Sequence, residues 1–147
     1  MQISRRLSEE LFRLFVNLGH AAHRGTDKPV LSPVSFTLLG ALTRSDLRAS
    51  ELSALTGLDQ STLSRRITSL CEHDLVERIP DPADGRAHLV RPTAKGRDLV
   101  AGERERRVRT ITDVLGDWPD DDRAELARLI AQLNDSLETP RRGQGDQ

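Results

Sequence analysis

The sequence predicts a mainly α-helical fold carrying one small β wing, and three observations point there. Stretches with helical apolar spacing occupy most of the chain. Aromatic residues make up only 3% of the 147 residues, with no Tyr and one Trp, so Leu, Ala and Val must build the core, which favours helices packed on helices. Only Leu75 to Arg91 changes character, to strand-forming residues on either side of a run of turn formers. The length fits one domain, residues 1–139, followed by a flexible polar tail at 140–147.

The first helix is expected from about Ser4 to Arg24, because Leu7, Leu11, Leu14, Phe15 and Leu18 share one helical face. Asp27-Lys28-Pro29 ends it. Ser32 then caps a second helix, with Pro33 at the first helical position and Phe36, Leu38, Leu39 and Leu42 within. A short third helix runs from Ala49 to Leu55, and Gly57 supplies the positive φ of the turn that follows. Asp59 caps a fourth helix that reaches His73. Leu75–Ile79 and Ala87–Arg91 form the arms of the β ribbon, joined by the turn formers Pro80 to Gly85. Thr93 caps a fifth helix whose apolar positions, Leu99, Val100, Val108, Ile111 and Leu115, are interrupted by the arginine-rich stretch Glu103–Arg109. After Trp118-Pro119, the last helix opens on three Asp residues that suit its positive end and carries Leu126, Leu129, Ile130, Leu133 and Leu137 as a stripe.

Several function classes are excluded by what the chain lacks. Cys71 is its only cysteine, so no intrachain disulfide can form and no CxxC or Cys/His zinc spacing exists. There is no nucleophile elbow, no phosphate-cradling glycine loop and no clustered ligand set, so neither an enzyme, a metal site nor a cofactor is expected. No segment approaches the roughly 20 apolar residues of a membrane span, and a cytoplasmic protein is expected. The formal net charge of −1 argues against indiscriminate coating of nucleic acid. It is compatible with a local basic patch that reads a specific sequence.

Such a patch lies on the fourth helix. Leu63, Ile67 and Leu70 must face the core, which turns Ser61, Arg65, Thr68 and Ser69 outward, flanked by Thr62 and Ser64. An ordinary solvated face mixes Glu and Lys, whereas this one is a run of Ser, Thr and Arg with no acid before Glu72. Small hydroxyls allow close approach to DNA, and Arg can grip guanine through two acceptors. A short helix, a glycine turn and this polar-faced helix make a helix-turn-helix, and with the ribbon behind it the unit spans residues 32–93. In the ribbon, Asp84-Gly85-Arg86 is expected at the tip, where Arg86 can enter the minor groove and Asp84 can orient its guanidinium or brace the turn.

The stretches ELSALTGLDQSTLSRRITSLCEHDLVER and DPADGRAHLVRPTAKG resemble the MarR family of multiple-antibiotic-resistance regulators, and the resemblance covers about residues 5 to 138. The Asp-x-Arg wing followed by an apolar strand and Thr-x-Lys-Gly is its more specific part. The resemblance implies a winged helix-turn-helix whose recognition helix enters the major groove through Ser61, Thr62, Ser64 and Arg65, with Arg66 and Thr68 beside them. Arg86, supported by Asp84, would reach the minor groove. It implies a homodimer through the helices at 1–31 and 94–139, reading a palindromic operator, and a repressor relieved by a small-molecule effector. That effector would lie between the dimer helices and the reading unit, near His20, Phe36 and Arg97. A dimeric interaction module of the same fold without DNA binding is the alternative. Three positions depart from the family pattern: Asp74 for Gly, Gly85 for a basic residue and Pro92 for Leu. The peroxide-sensing members use a cysteine in the first helix, which here has none; Cys71 stands instead beside Glu72, which disfavours a reactive thiolate. His20 and His23 share a helix face but are too few for a metal site.

Overall fold

A computed structural model describes residues 1–23 and 31–138. The chain divides between Val108 and Arg109 into two compact units. In order, the elements are α1 (Gln2–His23), α2 (Pro33–Leu42), β1 (Leu47–Arg48), α3 (Ala49–Thr56), α4 (Gln60–Glu72), β2 (Val76–Asp81), β3 (Asp84–Pro92), α5 (Ala94–Val114) and α6 (Asp120–Glu138). The break at Asp27-Lys28-Pro29 and the tail lie outside the described residues. The fold is mainly helical with a small antiparallel wing, as the spacing predicts.

The helices begin and end where local chemistry requires. Ser35 N–H donates to the Ser32 hydroxyl at 3.2 Å, and Pro33 opens α2. Gly57 sits at φ +68 beyond α3, and its N–H donates to Ser53 O at 2.9 Å. Leu38, Leu39 and Leu42 of α2 then meet Leu52 of α3, Leu63, Ile67 and Leu70 of α4, Leu75, Val76 and Val90 around the sheet, and Val100 of α5 in one buried cluster. Burying one such side chain contributes about 1.5–3 kcal/mol, whereas an exposed ion pair contributes about 0–1 kcal/mol. The leucine cluster, and not a surface pair such as Arg91–Asp46, therefore holds the reading unit together.

The sheet corrects the expected ribbon in three ways. It has three strands in the order β1-β3-β2, all antiparallel. The additional strand, Leu47–Arg48, pairs with Val90 and Leu89 and is too short to show alternation in sequence. The ribbon arms also run further than Leu75–Ile79 and Ala87–Arg91 predict: the ladder extends from Val76↔Pro92 to Asp81↔Asp84. The turn is only Pro82-Ala83, because the Asp81 carboxylate accepts the Ala83 N–H at 2.9 Å and closes it. Pro80 is tolerated inside β2 because β2 is an outer strand and the register is irregular between Pro80 and Asp81.

A tight joint connects the end of α4 to the start of α5. Pro92 lacks a donor, and the next residue supplies one: Thr93 N–H donates to Leu75 O at 3.1 Å. The Thr93 hydroxyl donates to Asp74 O at 2.6 Å and accepts the Gly96 N–H at 3.0 Å, so Thr93 caps α5 as expected. Lys95 Nζ donates to His73 O at 3.0 Å. Asp74 takes the left-handed turn at φ +57 that glycine would take freely. Replacing Asp74 by Gly relieves the Cβ clash, about 1–2 kcal/mol, and adds about 0.5–1 kcal/mol of unfolded-chain freedom. Asp74→Gly is thus expected to stabilise the fold by about 0.5–1 kcal/mol in urea denaturation, with unchanged m-value; a destabilised variant would contradict this account.

The amphipathic faces of the terminal helices are uncovered in the single chain. No residue from Gln2 to His20 of α1 is buried, and the stripe residues Leu7 and Phe15 are 55% and 77% exposed. In the second unit α6 buries no residue, and Leu129, Ile130, Leu133 and Leu137 stand exposed. Trp118, expected as a packing anchor, is also exposed. Among the described residues no helix is long and apolar enough to cross a membrane.

Candidate nucleic-acid interface

The rotation of α4 is fixed by Leu63, Ile67 and Leu70, which are all buried. That places Ser61, Ser64, Arg65, Thr68 and Ser69 on the exposed side, with Thr62 and Arg66 half-buried at its edges. The Arg65 guanidinium has no hydrogen-bond or ion-pair partner among the described residues.

The first turn of α4 is organised by Asp59. Its Oδ1 accepts the Thr62 N–H at 2.8 Å and the Ser61 hydroxyl at 2.7 Å, and its Oδ2 accepts the Thr62 hydroxyl at 2.9 Å. Ser61 and Thr62 therefore direct their protons inward and present oxygen lone pairs outward, a surface suited to base amino groups. The bond from Thr62 N–H, then those from the two hydroxyls, lower the Asp59 pKa from 3.8 to about 2. A depressed carboxylate pKa stabilises the fold above its unfolded value, and this is lost as pH falls through the folded value. The melting temperature of the wild type is thus expected to fall more steeply than that of Asp59→Asn between about pH 4 and pH 2. Parallel thermal melts would test this, and equal slopes would remove the cap from the argument.

The wing presents a second cation. Arg86 is exposed on β3, three residues beyond the turn and not at its tip as expected. Its N–H donates to Asp84 Oδ1 at 3.1 Å. Asp84 thus braces the main chain and leaves the Arg86 guanidinium without a protein partner among the described residues. A Cβ at Gly85 would meet nothing within 4 Å, so the missing basic residue there reflects no steric demand.

Arg78 is a contributor that the spacing does not single out. From β2 its Nη2 donates to the Thr68 hydroxyl at 3.2 Å and its Nη1 reaches Cys71 Sγ at 3.7 Å. It adds positive charge beside the second half of α4 and next to the thiol. Its only sequence signal is one basic residue after Leu75-Val76-Glu77.

The three expected effector residues differ in their surroundings. No hydrogen bond or ring contact joins His20, Phe36 and Arg97 among the described residues; His20 and Arg97 are exposed. Phe36 packs against the core with the Arg107 guanidinium 3.8 Å above its ring. Glu103, 8% exposed, holds Arg107 in place and accepts two bonds from Arg106 at 3.0 and 2.6 Å. Those bonds, Arg106 first, keep the Glu103 carboxyl below its usual range. The His23 side chain lies outside the described residues. Among the described residues no group of three His, Cys, Asp or Glu side chains could hold a metal ion.

Comparison with known proteins agrees with this fold. The MarR family model matches residues 31–87. The chain is 31% identical over 87 residues to the uncharacterized HTH-type transcriptional regulator YxaD of Bacillus subtilis (strain 168), which covers 59% of the chain but only 61% of that relative. It is 32% identical over 111 residues to the uncharacterized HTH-type transcriptional regulator ML2140 of Mycobacterium leprae (strain TN), covering 71% of the chain and 78% of that protein. Among solved structures, a MarR family protein from Bacillus stearothermophilus superposes with a TM-score of 0.80 at 22% identity, over 94% of this chain and 97% of that one. The PcaV transcriptional regulator from Streptomyces coelicolor, solved with its natural ligand, gives a TM-score of 0.61 at 25% identity over 92% of each chain.

Proposed function

Since the chain belongs to the MarR family of winged helix-turn-helix DNA-binding transcriptional regulators, we propose that it works as a homodimeric cytoplasmic repressor of a palindromic operator, released by a small-molecule effector. One observation carries the DNA-reading part. Arg65 on α4 and Arg86 on the wing present guanidinium groups that make no hydrogen bond or ion pair among the described residues, on two elements anchored in the same core. Ser61, Thr62, Ser64 and Thr68 line the major-groove side around Arg65, Arg66 reaches a phosphate, and Asp84 steadies Arg86.

The uncovered apolar faces of α1 and α6 support the dimer. A two-fold protein then reads two half-sites about one DNA turn apart. The ligand-bound state of PcaV supports relief by a small molecule. The regulatory role needs no reaction chemistry.

Selection of bound duplexes from a random pool, at stated salt, tests the reading. The expected product is a palindrome whose affinity falls with rising salt. A well-folded dimer that enriches no duplex would sink it and favour the interaction module.

A further inference from the structure

Asp81 stands at the foot of the wing turn and is only 6% exposed. A buried carboxylate is costly unless paired, so its partners report its role. Oδ1 accepts the Ala83 N–H and closes the turn, while Oδ2 accepts Arg48 Nε–H at 2.7 Å. Arg48 is the N-cap residue of α3, where its own N–H donates to Glu51 Oε2 at 2.7 Å. One carboxylate therefore touches both the turn of the wing and the entry to the helix-turn-helix. Three residues further on, Asp84 holds the main chain of Arg86. A second ion pair between distant segments, Arg91–Asp46, has the more exposed carboxylate, at 28% against 6%, and lies away from the turn. The bond from Ala83, followed by that from Arg48, keeps the Asp81 carboxyl below its usual range, so it is charged at neutral pH.

We propose that the Arg48–Asp81 pair is the positioning element of the wing, fixing where Arg86 stands relative to the recognition helix. The inference rests on the DNA reading proposed above. Major and minor grooves lie at fixed separations on a duplex, so Arg65 and Arg86 can engage together only if that separation is built into the protein. Sheet pairing through β1 holds the middle of β3, at Leu89 and Val90, and does not reach the turn. The Arg48–Asp81 contact is what extends the restraint to the end that carries Arg86.

The test is a set of variants on the selected palindrome. Asp81→Asn keeps an acceptor for Ala83 and loses the charge for Arg48; Arg48→Ala removes the partner from the other side. Each is expected to weaken binding about tenfold. In an Arg86→Ala background Asp81→Asn should cost less than about twofold more, because a wing without its arginine has nothing to place. Without DNA, amide exchange at Ala83 and Arg86 should quicken in both variants while α4 stays protected. The proposal alone is overturned if the wild type binds but both variants stay within about twofold of it. It is equally overturned if the Asp81→Asn loss persists undiminished beside Arg86→Ala, or if wing exchange is unchanged. A wild type that binds no duplex overturns the DNA reading, and this proposal with it.

Discussion

Gly96→Ala is expected to destabilise the fold by about 3 kcal/mol or more and to lower the melting temperature by roughly 6–12 °C. A Cβ at Gly96 would lie 2.1 Å from Leu75 O and 3.0 Å from Leu75 C. Those are backbone atoms, so no side-chain rotation relieves the clash. Leu75 O also accepts the Thr93 N–H, so retreat of Leu75 breaks that bond. The loss then reaches Leu70 and Val76, which belong to the same buried cluster. Gly102→Ala is the control: it lies on the same helix with nothing within 4 Å of the added carbon. It should gain about 0.5–1 kcal/mol from reduced chain entropy. Denaturant midpoints that fall equally for the two variants would refute the close approach.

Arg65→Ala is expected to weaken binding of the selected palindrome about a hundredfold or more. One base-reading contact contributes about 1–3 kcal/mol, and a two-fold complex makes it twice. Preference at the contacted base pairs should relax at the same time. Arg86→Ala should lower affinity with less change in preference and reduce the salt slope, because the minor groove offers a degenerate code and a strong negative potential. Anisotropy titrations at several salt concentrations, with repeated selections, separate the two behaviours. Variants that match the wild type in both measurements would remove Arg65 and Arg86 from the interface.

Local features of the fold are legible in the sequence. Leu63, Ile67 and Leu70 orient α4, Gly57 ends α3, and Ser32, Asp59 and Thr93 cap the helices that follow them. Each works through residues within one or two helical turns. What escapes is non-local. Two residues at Leu47–Arg48 carry no alternation, and they form a strand only because β3 lies beside them. All of Pro80 to Gly85 except Ala83 favour turns, so composition does not point to the pair that turns; the Asp81 carboxylate selects Pro82-Ala83. Arg78 and Thr68 are ten positions apart, and Arg48 and Asp81 are thirty-three apart. Spacing rules see neither pair. The apolar stripe of α1 is plain in the sequence, yet its exposure becomes apparent only in the folded chain.

The outline of the small sheet also bears on how the molecule behaves in a crowded solution. An open strand edge is a template on which other chains can add strands and begin to aggregate. Here one edge is β1, only two residues long. The other is β2, which carries Pro80, without a donor, beside an irregular register at Asp81. Neither edge offers an uninterrupted ladder to a neighbour. A β hairpin can therefore project into solvent with Arg86 exposed and still resist self-association through its backbone.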